Sequence, residues 1–159
     1  MTVAYVGIGS NLDDPRAHVL KALDELDRLP HSRVVKKSSL FRSAPLGYAS
    51  QPDFINAVAQ LETGLAAERL LAELQEIEAR HGRSRSFPNA PRTLDLDLLL
   101  FGQSETSTPN LGIPHARMHE RAFVLKPLLE ISPEVVIPGR GPARAYLDAC
   151  HNQETERVD

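Results

Sequence analysis

Apolar and polar positions change period several times along the chain, and each change marks an element. Val3 to Ile8 is a short apolar run of β character, closed by Gly9-Ser10-Asn11, which predicts a first strand entering a tight turn. Pro15 then opens a helix that Asp13 or Asp14 can cap, with Val19, Leu23 and Leu26 at i, i+4 and i+7 until Pro30 stops it. Val34 to Phe41 predicts a second strand, and Arg42 to Pro52, with Pro45, Gly47 and Pro52, a long loop. From Asp53 to Leu61 the chain alternates: Ile55, Ala57, Ala59 and Leu61 share the core face, while Phe54, Asn56, Val58 and Gln60 share the other. Leu70, Leu74, Ile77 and His81 form a helical stripe within Ala66 to His81, and Gly82 supplies the stop. Thr93 to Phe101 predicts a fourth strand ended by Gly102. A polar loop follows, then a helical piece with Met118, Phe123 and Leu125, a last helix around Ala143 to Cys150, and a tail after His151 expected to fray.

The order strand, helix, strand, strand, helix, strand is that of an α+β ferredoxin-like βαββαβ core. Its antiparallel four-stranded sheet carries both helices on one face, the other face stays open for ligands, and the C-terminal helices are an addition. No repeat, low-complexity tract or linker divides the chain, so residues 1–159 are expected to form one domain.

The chemistry concentrates in Thr93-Leu94-Asp95-Leu96-Asp97-Leu98. Two carboxylates two residues apart on a strand project from one face, roughly 6.6 to 7 Å apart along the backbone, and can converge on one or two hard cations such as magnesium. An isolated Asp-x-Asp is more often a solvated strand face, but acids in so leucine-rich a strand are costly unless paired or coordinating. Immediately upstream, Gly82 to Arg92 holds Arg83, Arg85 and Arg92 and no acid, a cationic loop suited to gripping phosphates. Leu71, Gln75 and Glu78 fall at i, i+4 and i+7 beside the helical stripe, where they could hold a base or ribose or simply form a polar helix boundary. Phe54 and Asn56 offer an aromatic surface and an amide to a flat heterocycle, with Phe123 a candidate for its opposite side. His115 and Arg121 could stabilise charge developing on transfer. Gly7-Ile8-Gly9-Ser10-Asn11-Leu12 lacks the third glycine of a dinucleotide fingerprint, so Gly7 and Gly9 are expected to make a tight turn, and no Walker loop, zinc cluster or nucleophile elbow is present.

Composition narrows the field. Lys and Arg total 18 against 21 Asp and Glu, a formal charge of -3, which argues against a general nucleic-acid surface and makes any anion site local. The one cysteine, Cys150, cannot form an internal disulfide; it is expected to be a small buried residue in a reducing compartment. Apolar runs of only four residues, as in Leu98 to Phe101, exclude a membrane-spanning helix, and with the first basic residue at Arg16 no secretory signal is expected, which points to the cytoplasm. An RNA-binding module would share the element order, but Asp95 and Asp97 would repel its phosphate backbone; a two-metal polynucleotide nucleotidyltransferase shares the acids but would release pyrophosphate.

Taken together, Tyr5 to Leu12 (YVGIGSNL), Pro45-Leu46-Gly47, Gln51 to Ala57 (QPDFINA), Pro91 to Asp97 (PRTLDLD) and Ile113-Pro114-His115 resemble the 6-hydroxymethyl-7,8-dihydropterin pyrophosphokinase family of folate biosynthesis over nearly the whole chain. The resemblance implies that ATP donates its β,γ-pyrophosphoryl group to the pterin's hydroxymethyl oxygen with release of AMP, two magnesium ions being held by Asp95 and Asp97. It implies that Ser43, Ala44, Leu46, Phe54, Asn56 and Phe123 line the pterin pocket, that Gln75, Glu78, Arg85, Arg92, His115 and Arg121 serve ATP, and that Arg85, Arg92, Asp95, Asp97 and His115 carry the chemistry. The loops at 47–50 and 83–92 would be lids. The substrates are two small molecules, with no nucleic acid or membrane partner, and a monomer is expected. Many relatives carry Arg-Trp-Gly where this chain has Pro88-Asn89-Ala90, and arginine and tyrosine where it has Asn110 and Ala116. The nucleotide grip must therefore be distributed differently here, and Phe87 is a candidate for the missing ring.

Overall fold

The computed structural model describes residues 1–45, 51–82 and 93–159. Its spine is β1 (Thr2–Ser10), paired antiparallel with β4 (Phe54–Thr63) on one side and β5 (Asp95–Phe101) on the other. Along the far edge of β4 run β2 (Ser32–Lys37) beside its second half and β3 (Phe41–Ser43) beside its first, and β10 (Thr155–Arg157) pairs in turn with β3. Two small hairpins complete the strands, β6 (Thr106–Ser107) with β7 (Gly112–Ile113), and β8 (Val136–Ile137) with β9 (Gly141–Pro142).

Helices cover both faces of the sheet. On the first lie α1 (Pro15–Asp27), whose N-cap Asp14 accepts a bond from the Ala17 amide, and α2 (Ala67–Arg80). Val19, Leu23 and Leu26 of α1 and Leu70, Leu74 and Ile77 of α2 bury themselves against Ala4, Val6 and Ile8 of β1, Ala57, Ala59 and Leu61 of β4, and Leu96 and Leu98 of β5. This is the core face that strand alternation predicts. The opposite face is not left open. Helix α3 (Ala122–Ile131) and the 3₁₀ turns Met118–Glu120 and Ala143–Cys150 build a second core there with Tyr5, Val58 and Leu99. They cover only part of that face, and the remainder is the site.

Three further expectations are corrected. The single strand over 34–41 is two, because Ser38 leaves the regular ladder: its amide donates to the Val58 carbonyl, and its hydroxyl accepts from the Val58 amide. Gly7 and Gly9 are interior residues of β1 rather than a turn. The tail does not fray: besides β10, the Val158 amide donates to the Leu40 carbonyl and the Leu40 amide to the Asp159 carboxylate. Among the described residues no helix is long and apolar enough to cross a membrane.

Candidate active site

Register aligns the site. Gly9 faces Asn56 across one ladder and Asp95 across the other, and Gly7 likewise lies between Val58 and Asp97. Because residues two apart share a face, Asn56, Gly7, Gly9, Asp95 and Asp97 all point to the side left uncovered by α3. The two glycines leave a strip of bare backbone between the amide and the two carboxylates, as expected where a ligand approaches closely. A Cβ on Gly9 would stand 3.1 Å from Asn56 Oδ1, closer than ordinary van der Waals contact.

The resulting cleft is open to solvent along one side. Ser43 and Ala44 from the end of β3, Phe54 and Asn56 from β4, Asp95 and Asp97 from β5, and Arg121 and Phe123 around the start of α3 line it. Eight of the side chains singled out from the sequence are thus brought together. Asn56 is 3% exposed, and its Nδ2 donates to Ser43 Oγ at 2.7 Å, which fixes the plane of the amide. The Arg121 guanidinium lies 5.5 Å over the Phe123 ring, joining a cation to an aromatic wall.

His115 stands at the rim with Nε2 3.9 Å from Asp97 Oδ1. Its Nδ1 accepts a bond from the Arg117 amide at 3.1 Å, so in the neutral ring the proton sits on Nε2, toward Asp97. Burial holds the imidazole below its usual range; the positive charges of Arg121 and Arg117 act the same way, and Asp95 opposes them.

Gln75 is set apart from this cleft. It is exposed on α2 in a neighbouring groove with Leu71, Phe101, Thr108 and Asn110. Glu78 is buried at 5% exposure, and its Oε2 accepts from the Leu96 amide at 2.7 Å, between the two aspartates. Its observed contact supports the strand that carries the carboxylates. Leu46, Arg85, Phe87 and Arg92, and both loops expected to act as lids, lie outside the described residues.

Sequence reasoning missed the glycine strip and one brace. Asn11, 1% exposed, donates from Nδ2 to Gln51 Oε1 at 2.6 Å and to the Pro52 carbonyl at 3.1 Å, tying the end of β1 to the approach to Phe54. A glycine repeat at period two inside a strand was the available signal for the strip; for Asn11 the signal is only that a polar residue follows a buried strand.

Among the described residues no group of three or more His, Cys, Asp and Glu side chains is arranged to hold a metal. Two half-buried carboxylates on one strand face nevertheless suit magnesium, which typically takes one or two carboxylates and fills its remaining positions with water and substrate phosphates.

Residues 5–133 match the sequence model of the family described as 7,8-dihydro-6-hydroxymethylpterin-pyrophosphokinase (HPPK). A Pseudomonas aeruginosa protein named 2-amino-4-hydroxy-6-hydroxymethyldihydropteridine pyrophosphokinase is 47% identical over 97% of this chain and 95% of its own length. A Haemophilus influenzae protein of the same name is 45% identical over 87% and 86%. The structure also matches a crystal structure of Plasmodium falciparum wild-type HPPK-DHPS with pteroate, with a TM-score of 0.72 over 94% of this chain and 42% of that one; at 12% identity, this likeness speaks to the fold. By its matched sequence and its relatives, the chain belongs to the 7,8-dihydro-6-hydroxymethylpterin-pyrophosphokinase family.

Proposed function

We propose that this chain transfers the β,γ-pyrophosphoryl group of ATP to the hydroxymethyl oxygen of 6-hydroxymethyl-7,8-dihydropterin, a step of folate biosynthesis. The observation that carries the reading is the cross-strand row of Asn56, Gly9 and Asp95, which puts a buried amide and a paired carboxylate on one bare strip of sheet. A flat pterin fits between Phe54 and Phe123, its hydrogen-bonding edge turned to Asn56 and its hydroxymethyl group toward Asp95 and Asp97. Ser43 holds the Asn56 amide in orientation, and Ala44 lines the pocket beside it.

In the reaction the hydroxymethyl oxygen forms a bond to the β-phosphorus, the bond from that phosphorus to the α,β-bridging oxygen breaks, AMP leaves and one proton is released. Asp95 and Asp97 would hold two magnesium ions, which supply charge neutralisation for the polyphosphate. Arg121 and the neutral His115 direct N–H donors toward the transferred group; Arg85 and Arg92 add cationic charge; Gln75 contacts the nucleotide; and Glu78 acts chiefly by bracing the strand that carries both carboxylates. Positioning and charge stabilisation then account for most of the rate.

The same reading takes the fold as ferredoxin-like: the order β5, β1, β4, then β2 and β3, with α1 and α2 on one face, supports it. It takes the chain as one domain and a cytoplasmic monomer with small-molecule substrates only. The direct test is to incubate the protein with ATP, magnesium and the pterin, and to resolve nucleotides by chromatography. AMP formed only when pterin is present is the expected result; folded protein that forms none refutes the reading.

A further inference from the structure

The C-terminal residues 134–159 lie beyond the family match, which ends at residue 133, yet one of their side chains reaches the wall of the cleft. Helix α3 begins at Ala122, and the residue before it, Arg121, has an extended backbone (φ -121°, ψ 113°) and a side chain that gives the helix no cap. In an extended residue the preceding carbonyl and the following amide point to the same edge. At that edge lies Gln153. Its Oε1 accepts from the Ala122 amide at 2.9 Å, and its Nε2 donates to the Glu120 carbonyl at 2.8 Å. The primary amide thus stands in for a strand peptide, bracketing Arg121 on both sides.

We propose that Gln153 is a positioning residue for Arg121, setting the backbone angle from which its guanidinium is aimed into the cleft; this rests on the pyrophosphokinase reading above. Were Arg121 to turn helical, the Glu120 carbonyl and Ala122 amide would diverge, and one Gln153 amide could no longer bind both. The bracket therefore selects the extended form, and α3 starts one residue later. The tail is itself anchored: the Gln153 amide donates to the Cys150 carbonyl at 2.9 Å, and β10 follows on the edge of β3. One short segment consequently braces both the Arg121–Phe123 wall and the strand that carries Ser43.

The test is a double-mutant cycle in the full chain. Gln153→Met keeps the length of the side chain and loses both bonds; Gln153→Glu keeps the acceptor and loses the donor. Exchange of the Ala122 amide with solvent deuterium, followed by NMR, should rise in Gln153→Met and stay closer to native in Gln153→Glu. Pterin-dependent AMP formation should fall about tenfold in kcat for Gln153→Met, less for Gln153→Glu, with the KM for pterin within about twofold. In an Arg121→Ala background the same substitutions should cost almost nothing further. An equal loss in both backgrounds, or an unchanged kcat despite faster Ala122 exchange, overturns the proposal. If the native protein forms no AMP at all, the pyrophosphokinase reading fails separately. The cycle is then read on affinity for magnesium α,β-methylene-ATP, where loss of coupling to Arg121 again overturns the bracket and retained coupling sustains it.

Discussion

Glu78 offers the sharpest test of how the structure supports the carboxylate pair. Among the described residues strand β5 is the last in the sheet, bonded to β1 on one side, so an amide on its outer edge needs a partner from elsewhere. For Leu96 that partner is the Glu78 carboxylate at 2.7 Å, in a contact where both residues are 5% exposed. Glu78→Ala leaves the Leu96 amide buried without an acceptor and removes a charge-assisted bond, so a loss of roughly 2–3 kcal/mol is expected. For a chain of this size that corresponds to about 5–10 °C in Tm. Glu78→Gln retains a neutral acceptor of the same shape and should lose only about 1 kcal/mol. The assay is urea unfolding of the protein without ligands, where a lower midpoint at constant slope reports stability alone. Turnover should fall in parallel, because Leu96 sits between Asp95 and Asp97 and a shift of its peptide moves both. If Glu78→Ala unfolds within about 0.5 kcal/mol of native while the KM for ATP rises, Glu78 is a nucleotide contact and not a brace, and the reasoning is refuted.

Three other outcomes are expected. Asp97→Ala removes a half-buried side chain and no part of either core, so it should leave the protein folded, and it should reduce pterin-dependent AMP formation at least a hundredfold; a folded variant with near-native turnover would remove Asp97 from the site. Gly9→Ala presses a methyl group to 3.1 Å from Asn56 Oδ1, so the KM for pterin should rise about tenfold while that for ATP holds; equal changes in both would disconnect Gly9 from the pterin side. Burial, followed by the negative charge of Glu120, raises the Cys150 thiol above its ordinary value. Alkylation by iodoacetamide at pH 8 should therefore be slow in the native protein and fast in urea. Because the folded-state value is raised, this thiol leaves stability constant below the unfolded thiol's pKa, and stability falls as pH rises from there through the folded value. Native alkylation as fast as in urea would contradict the burial.

The carboxylate pair was legible in the sequence because strand parity alone puts Asp95 and Asp97 on one face and their leucine neighbours on the other, and a parity argument survives any error in the strand's ends. The helical stripes of α1 and α2 were legible for the same reason. What escaped were contacts between segments far apart in sequence. Nothing local in Ser38 says that its hydroxyl will accept the Val58 amide and split a strand, and nothing in a polar tail says that Thr155 to Arg157 will find the edge of β3. Gly7 and Gly9 were misread because a glycine after a strand ordinarily ends it. Here each is flanked by β4 on one side and β5 on the other, so ladder bonds hold the backbone that the missing side chains would otherwise leave loose.

The half-covered face explains how one sheet can both fold and bind. A sheet face of this length, left wholly bare, would expose Tyr5, Val58 and Leu99 to water; α3 and the turn at Ala143–Cys150 bury them. Farther along the same strands the chain changes from large apolar residues to Gly7, Gly9, Asn56, Asp95 and Asp97, which have no apolar surface to offer a helix. Helix α3 begins where that change occurs, and Arg121 just before it and Phe123 in its first turn are supplied to the cleft instead of closing it. The boundary between core and site is therefore drawn by side-chain polarity along three adjacent strands. Replacing Asp95 or Asp97 with leucine would extend the apolar patch into the cleft and favour covering it, so the same residues that would hold magnesium also keep the sheet open.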